Sequence, residues 1–236
     1  MAKPWDAMLT ETDRKTIARG RWAQRVGPGA RPVVLVVDIQ NCMVGERGRE
    51  SADYPISCGE AGWRAIDASM DIIAGARAAG VPVIYLRFGL DRNGKDGGIF
   101  ARKIGSGSGE YSFLRNTHGG EIVADVAPRE GELVFDKIKH SAFFGTPLEP
   151  ILREQGIDTL VVVGGSTSNC IRATVVDGAQ YNYRVLVPYD AVFDRIELSH
   201  AAALFDMDRT FADVVSTSEI LDYFNELTPG SQLKTQ

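Results

Sequence analysis

The sequence predicts an α/β protein of three layers, α/β/α, in which about six parallel strands form a sheet with helices on both faces. Apolar runs alternate with amphipathic segments along the 236 residues, which is the pattern of repeated strand–helix–strand units. The first predicted strand, residues 33–38, opens with consecutive apolar residues, as a parallel strand buried on both faces requires. The composition, with 44% hydrophobic and 24% charged residues, is that of a globular chain long enough to bury a large core.

The predicted strands are the short apolar runs of this pattern. They cover residues 33–38, 81–88, 133–138, 159–165, 184–192 and 214–215. Residues 89–117 interrupt the pattern, because they are rich in glycine and show little hydrophobic periodicity. We expect them to form an irregular loop, and a loop of this length in a compact domain usually has a function.

The helices are predicted from apolar residues three and four positions apart and from capping residues. Gly80 is expected to end the first helix, and the pair Thr146-Pro147 to begin the second. Ser216 and Glu219 have the spacing of a capping box at the start of the last helix. The predicted helices cover residues 63–80, 146–156, 169–180, 197–208 and 216–227.

Composition and charge disfavour several classes of function. The chain has 26 lysines and arginines against 31 aspartates and glutamates, a net charge of −5, so nucleic acid is not expected as a principal partner. Neither a membrane-spanning run nor the apolar region of a signal peptide is recognisable, so no membrane partner is expected. Three cysteines are an odd and small set, which indicates a reduced, cytoplasmic protein. Residues 1–30 are expected to form an N-terminal arm, 31–227 the domain and 228–236 a C-terminal tail.

Reactive side chains stand at the ends of three predicted strands. Asp38 ends the first strand, Lys137 lies at the end of the third, and Cys170 follows the fourth after a Gly-Gly turn. Ligands of an open parallel sheet bind beyond the carboxyl ends of its strands, so an acid, an ammonium group and a thiol are expected at one rim. The place of Cys170 in the first turn of a helix predicts a lowered thiol pKa. The small residues before it predict a tight loop whose N–H groups could bind an oxyanion.

Each of these residues also has an ordinary alternative role. Cys170 alone is compatible with a small buried side chain, and the turn before it with a phosphate cradle, although no nucleotide-binding motif accompanies it. None of His118, His140 and His200 lies at a clear strand end, so each is expected to be a surface residue or a satisfied core residue. No histidine or cysteine spacing typical of a metal site occurs, so neither a metal nor another cofactor is expected.

Three segments carry a resemblance to a known superfamily. They are Val-Val-Asp38-Ile-Gln-Asn, the segment KIKHSAFFGT that begins at Lys137, and the segment GGSTSNCIRAT at 164–174. Residues 192–195 and 204–208 add support, and the likeness extends from about residue 25 to residue 227. On these motifs the chain resembles the isochorismatase-like cysteine hydrolases, and within them the N-carbamoylsarcosine amidases. The resemblance implies an isochorismatase-like, Rossmann-like fold and hydrolysis of carbon–nitrogen bonds outside peptides.

The resemblance also implies a catalytic triad. Cys170 matches the family's nucleophile, Lys137 its lysine and Asp38 its aspartate. Lys139 is a competing lysine two positions further on. The family's lysine precedes the Ser-Ala-Phe segment by four positions, which favours Lys137, although alternate residues of a strand could place both lysines on one side.

Three further features are implied around the nucleophile. One is a cis peptide bond between Gly165 and Ser166, which is costly and is found mainly where function requires it. The second is an oxyanion hole formed by the backbone N–H groups of Ser166 and Cys170. Arg195 matches the arginine that holds a substrate carboxylate, and its alternative role is a surface ion pair.

The implied reaction is hydrolysis of a small amide or ureido acid, with release of ammonia through a thioester. N-carbamoylsarcosine, maleamate and ureidoacrylate are the substrates that the resemblance suggests, and a homodimer or homotetramer is the implied assembly. Two other functions stay open: ether hydrolysis of the isochorismatase type by Asp38 and Lys137, and a redox or thiol-binding role for Cys170. Tyr111 and Phe113 are expected either to line the substrate pocket or to pack in the core or an interface.

Overall fold

The computed structural model describes residues 3–49, 53–93, 95–104 and 112–227. Within them, seven strands form one sheet in which all strand pairs are parallel. The strands are β1 Pro32–Val37, β2 Val83–Phe88, β3 Leu133–Lys137, β4 Thr159–Gly165, β5 Arg184–Pro188, β6 Val192–Phe193 and β7 Asp213–Val215. Their order is β3-β2-β1-β4-β5-β7, and β6 pairs with the end of β4. The predicted fold class is confirmed, with one strand more than expected.

Helices cover both faces of this sheet. They are α1 Glu11–Gly20, α2 Asn41–Val44, α3 Gly59–Ala78, α4 Gly98–Ile104, α5 Leu148–Glu154, α6 Arg172–Gln180, α7 Glu197–Thr210 and α8 Thr217–Leu227. Because successive residues of a strand point to opposite faces, β1 divides its side chains between two apolar clusters. Val34 and Val36 pack with α3 and α8, whereas Leu35 packs with α5, α6 and α7. The sheet therefore forms the middle layer between two cores.

Several helix boundaries follow from the capping residues. The capping box at the start of α8 is confirmed, because Ser216 N donates to Glu219 Oε2 at 2.8 Å and Glu219 N to Ser216 Oγ at 3.3 Å. Gly80, with a φ of +71°, allows the left-handed backbone just after α3, as predicted. Helix α5 begins only at Leu148, whose N–H is 3.3 Å from Thr146 Oγ1.

Two predictions about the sheet and its loops were wrong in part. The strand expected at 184–192 is two strands, since a turn after Pro188 closes with a bond of 3.0 Å from Ala191 N to its carbonyl. After this turn the chain lies beside the end of β4, where β6 pairs with residues 164–165. Residues 89–117, expected to be irregular, contain helix α4 and a parallel bridge between Leu90 and Leu114.

The N-terminal residues pack on the domain. Trp5 is 5% exposed and contacts Phe205, with ring centroids 6.1 Å apart, and α1 begins with a capping box formed by Thr10 and Asp13. The expected tail, 228–236, lies outside the described residues. None of the helices in the described part of the chain combines the length and the apolar character that crossing a membrane requires.

Candidate active site

Asp38 and Lys137 form a buried ion pair at the carboxyl ends of β1 and β3. Lys137 Nζ lies 2.8 Å from Asp38 Oδ2. The side chain of Lys137 is 0% exposed and that of Asp38 is 1% exposed. The same ammonium lies 5.0 Å from the ring centroid of Phe88. Lys139 is beyond the end of β3, and its backbone carbonyl oxygen accepts a bond of 3.2 Å from Lys137 Nζ. The strand therefore directs Lys137 to Asp38.

Burial and pairing act in opposite directions on the two groups. Burial raises the pKa of Asp38, and the Lys137 ammonium lowers it only in part. Burial alone would lower the pKa of Lys137, but the attraction of Asp38 and Cys170 raises it overall. The site thus combines a stable ammonium with a carboxylate that readily takes up a proton. Asp38 Oδ1 has no hydrogen-bond partner among the described residues, although it is buried.

Gln40 fixes the sharp turn that carries Asp38. Asp38 has a φ of +51°, a left-handed conformation that costs a residue other than glycine about 1–3 kcal/mol. The buried Gln40 amide donates to the carbonyl oxygens of Phe88 at 2.9 Å and Gly120 at 2.8 Å, and accepts from Phe88 N at 2.9 Å. These bonds tie the turn to the end of β2. Gln40 lies in the sequence motif around Asp38, but this role depends on contacts with distant residues that the motif does not show.

Cys170 lies in a single π-helical turn, Thr167–Ile171, between β4 and α6. Thr174 Oγ1 donates to the carbonyl oxygen of Cys170 at 2.7 Å and accepts from Ala142 N at 2.9 Å, which joins this turn to the segment after β3. Asp194 Oδ2 accepts from Ser168 N at 2.8 Å. The helix predicted at 169–180 therefore starts with a π turn, and its α-helical part begins later.

The expected lowering of the Cys170 pKa is wrong. Burial raises the pKa of the thiol, Asp38 raises it further, and Lys137 lowers it only in part. The favourable effect of a helix N-terminus is about 0.3–1 kcal/mol at an exposed position, which is less than the cost of a buried thiolate. The thiol is therefore protonated at neutral pH and needs a base to become a nucleophile.

The turn before Cys170 brings backbone close to the thiol. A Cβ atom at Gly164, whose φ is +111°, would overlap the carbonyl oxygen of Val37, so only glycine fits. The bond between Gly165 and Ser166 is cis. Among the described residues, no acceptor binds the backbone N–H of Ser166. This N–H is available to a ligand oxygen.

A cavity of about 220 Å³ opens over Asp38 and Cys170. Aromatic rings, polar groups and one cationic group line its remaining surface; they are Phe88, Phe100, Phe113, His140, Ser166, Asn169 and Arg195, with Met43 and Ile56 beside the cation. Phe113 thus lines the cavity, in edge contact with Phe88 at 5.1 Å, whereas Tyr111 lies outside the described residues. The cavity thus brings a thiol, a carboxylate and a guanidinium within reach of one small ligand.

Arg195 reaches the cavity from the segment after β6. Its Nε–H donates to the carbonyl oxygen of Ile56, and an Nη–H donates to Met43 Sδ at 2.9 Å. Asp194 Oδ1 accepts instead from the Arg195 backbone N–H at 2.8 Å. Within the part of the chain that the structure describes, the Arg195 guanidinium has no carboxylate partner, so it is free to bind an anion.

The three histidines differ in their surroundings. His118 pairs with Glu121 at 3.5 Å on the surface, and His200 Nδ1 lies 2.8 Å from Thr167 Oγ1, as expected of surface and satisfied residues. The expectation for His140 missed its place in the site. This residue lines the cavity, and its ring stands edge-on to that of Phe100 at a centroid distance of 4.6 Å. Its position three residues after Lys137 was the sequence signal that could have placed it near the site. No cluster of three potential metal ligands occurs in the described ranges.

Comparisons with known proteins agree with this geometry. The isochorismatase domain family matches residues 32–219. A maleamate amidohydrolase from Pseudomonas putida is 33% identical over 214 residues, covering 89% of this chain and 94% of its own. An N-carbamoylsarcosine amidase from Arthrobacter sp. is 31% identical over 210 residues, covering 86% and 75%. A solved isochorismatase family protein from Desulfovibrio vulgaris has a TM-score of 0.73 and 30% identity, covering 83% and 98%.

Proposed function

The chain belongs to the isochorismatase family, and we propose that it is a cysteine-dependent amidohydrolase acting on small amides or ureido compounds that carry a carboxylate. It is a hydrolase of carbon–nitrogen bonds outside peptides, as its named relatives are. The observation that supports the proposal is a cavity lined by Asp38, Cys170 and the Arg195 guanidinium, in which Asp38 is paired with the buried Lys137.

In the first step, Asp38 accepts the proton of the Cys170 thiol as its sulfur attacks the amide carbonyl. The raised pKa of Asp38 suits it to this role, because it is a stronger base than an exposed carboxylate. Lys137 stays protonated and stabilises the negative charge that passes between sulfur and carboxylate. The tetrahedral oxyanion accepts hydrogen bonds from the backbone N–H groups of Ser166 and Cys170.

In the second step, the carbon–nitrogen bond breaks. Asp38 returns the proton to the leaving nitrogen, so an amide R–CO–NH2 gives ammonia and a thioester between the acyl group and Cys170. Asp38 then deprotonates a water that attacks the thioester. The products are the carboxylic acid R–COOH and the free thiol, which restores the starting state.

Arg195 binds the carboxylate of the substrate in this proposal. Its guanidinium faces the cavity without a carboxylate partner among the described residues, and a guanidinium matches a carboxylate with two parallel hydrogen bonds. Maleamate, N-carbamoylsarcosine and ureidoacrylate all place a carboxylate a few bonds from a terminal amide. A cavity of about 220 Å³ suits molecules of this size.

The test is ammonia release from these three compounds, N-carbamoylglycine and nicotinamide, with the wild type and Cys170→Ala. We expect hydrolysis of at least one carboxylate-bearing amide, and a loss of at least about 10⁴-fold in kcat for the variant. Cys42→Ala is the matched control, because its buried thiol lies outside the residues that line the cavity.

Three results would contradict the proposal. Ammonia release that survives Cys170→Ala would exclude the thioester. Hydrolysis of an isochorismate-type ether by both proteins, without any amide hydrolysis, would favour acid–base chemistry by Asp38 and Lys137. Formation of a sulfenate or mixed disulfide at Cys170 under mild peroxide, again without hydrolysis, would favour a redox role.

A further inference from the structure

The cavity has two unlike ends, and the topology of the sheet separates them. Asp38 and Cys170 follow the adjacent central strands β1 and β4. Arg195 follows β6, which pairs with β4 on the side away from β1. His140 follows β3, which is separated from β1 by β2 on the opposite side of the central pair. Neighbouring strands are about 4.8 Å apart, so Arg195 and His140 approach the central pair from opposite directions.

The His140 end of the cavity is mainly apolar. The ring of Phe88 contacts those of Phe100 and Phe113 edge to face, with centroid distances of 5.3 Å and 5.1 Å. The ring of His140 continues this wall at 4.6 Å from Phe100. His140 is therefore the polar member of this aromatic wall. Asn169 also borders the cavity, and its side-chain N–H donates to Ser166 Oγ at 3.3 Å.

The imidazole nitrogens of His140 are available to a ligand. Neither of them makes a hydrogen bond within the described ranges, although the residue is half-buried. Burial lowers the pKa of His140, and the nearby Lys137 ammonium lowers it further, so the ring is neutral at neutral pH. A neutral imidazole has one nitrogen that accepts a hydrogen bond and one N–H that donates.

A bound primary amide would present an unsatisfied donor at this end. With its carboxylate on Arg195 and its carbonyl carbon at Cys170, the oxyanion faces Ser166, so the remaining substituent, NH2, points toward β2 and β3. This group has two N–H donors, of which Asp38 can accept one. A second donor left among phenylalanine rings would lose its hydrogen bond with water and gain none.

We propose that His140 determines the specificity of the reaction for amides, because its neutral imidazole accepts a hydrogen bond from the NH2 group of the scissile amide. This inference rests on the proposed function, since it assumes that Cys170 attacks the amide and that Arg195 holds the carboxylate. It adds a residue that contacts the leaving group rather than the acyl part of the substrate.

The experiment compares two substrates that differ only at the leaving group. One is the amide of the panel that the wild type hydrolyses fastest, and the other is its methyl ester; for maleamate this is monomethyl maleate. The ester has the same carboxylate and the same carbonyl but no donor. His140→Phe keeps a ring against Phe100 and removes the acceptor, and His140→Asn restores an acceptor oxygen.

We expect His140→Phe to lower kcat/KM for the amide about ten- to hundredfold and to change that for the ester less than about threefold. His140→Asn should recover part of the preference for the amide. Phe100→Leu is the matched control: it disturbs the same wall without removing an acceptor, so both substrates should be affected equally.

The outcomes separate this inference from the function on which it rests. If the wild type hydrolyses the amide through Cys170 but His140→Phe leaves the ratio of amide to ester unchanged, the role of His140 is excluded and the amidase function stands. Equal losses for both substrates would make His140 a structural wall residue and would also overturn the inference. Hydrolysis of none of the panel amides by the wild type would overturn both.

Discussion

The centre of the cavity and its walls are built in different ways. Asp38, Lys137 and Cys170 stand at the ends of β1, β3 and β4, are buried, and are fixed by bonds to neighbouring strands and turns. Apart from Phe88 at the end of β2, the walls come from segments between the strands. Phe113 belongs to the interval 89–117, and Arg195 follows the two-residue strand β6. The sheet therefore fixes the positions of the reactive groups, whereas the connecting segments determine which ligands reach them.

The two regions also differ in how strongly each group is held. The charge of Lys137 is compensated by Asp38 at 2.8 Å in the absence of solvent, so removing either partner leaves a buried charge. Arg195 is held by one carbonyl oxygen and one sulfur, both weaker partners than a carboxylate. Substitutions in the centre should therefore affect both catalysis and stability, and substitutions in the wall mainly substrate binding.

Among the substitutions that compare the centre with the walls, the largest effect is expected at Lys137. Lys137→Met should lower kcat about 10³-fold, because the proposed stabilisation of the charge that passes between the sulfur and the carboxylate is lost. Removing one partner of a buried pair costs about 3–5 kcal/mol in the free energy of unfolding, and uptake of a proton by Asp38, whose pKa burial already raises, should place the loss at the lower end. Steady-state kinetics and urea denaturation measure the two effects.

Lys139→Met is the matched control for Lys137. Its side chain is partly exposed and its carbonyl oxygen, which contacts Lys137 Nζ, is unchanged by the substitution. We expect less than a twofold change in kcat and no change in stability. Equal losses for both lysines would mean that the site depends on the local positive charge rather than on the buried pair.

The next effect concerns the wall. Arg195→Met should raise KM for carboxylate-bearing amides about 100-fold, since charge-assisted hydrogen bonds contribute about 1.5–3 kcal/mol. The melting temperature should change little, because the guanidinium contacts only a carbonyl and a sulfur among the described groups. Arg172→Met, which removes an exposed arginine 3.5 Å from Asp206, is the control. A loss of kcat at unchanged KM would assign Arg195 to the chemistry instead of to binding.

The sequence predicted the centre of the site better than its walls, for a physical reason. Strands and their end residues are recognisable from local patterns, so the places of Asp38, Lys137 and Cys170 at one rim followed from hydrophobic runs. His140 belongs to the wall because its ring packs against Phe100 of helix α4. The glycine-rich composition of residues 89–117 did not indicate this helix. The raised pKa of Cys170 depends on burial against Asp38, which no local pattern contains.

The same limit explains the sheet. One strand was expected at residues 184–192, and although Pro188 and Asp190 mark a turn locally, they do not show where the second half of the segment pairs. The division of the segment depends on β7, whose Val215 carbonyl oxygen accepts from Tyr189 N at 2.9 Å, and on the space beside Gly164-Gly165 that β6 occupies. These are contacts between distant segments, and a short window of sequence does not report them.

The pH dependence of its alkylation distinguishes the buried Cys170 thiol from an exposed thiol. Burial and Asp38 raise its pKa, so the thiolate fraction should rise tenfold for each pH unit below that pKa. The rate of alkylation by a small neutral reagent such as iodoacetamide should therefore increase steadily from pH 6 to pH 9 without a plateau. Mass spectrometry of the Cys170 peptide follows the reaction site by site.

Cys58 provides the internal reference for this measurement. Burial raises its pKa to about 11, with Arg195 opposing the shift, so its alkylation should rise with the same slope and without dependence on Asp38. Asp38→Asn should increase the equilibrium fraction of Cys170 thiolate at a given pH, and so its alkylation, since the carboxylate no longer opposes the thiolate. The same variant should lose amide hydrolysis, because it lacks the proposed base, and the alkylation of Cys58 should stay unchanged. A plateau for Cys170 at or below pH 7 would mean that the thiolate is already formed.

The smallest effect tests how exactly the wall must hold Arg195. Met43→Leu keeps a buried apolar side chain of similar volume but removes the sulfur that accepts from the guanidinium at 2.9 Å. Sulfur is a weak acceptor and the bond to Ile56 remains, so KM for carboxylate-bearing amides should rise only about two- to fivefold at constant kcat. Met207→Leu, in the other apolar cluster, removes a buried sulfur away from the cavity and should leave KM unchanged. If Met43→Leu weakened binding as much as Arg195→Met, the orientation of the guanidinium would be as tightly specified as the buried pair, and the contrast between centre and wall would not hold.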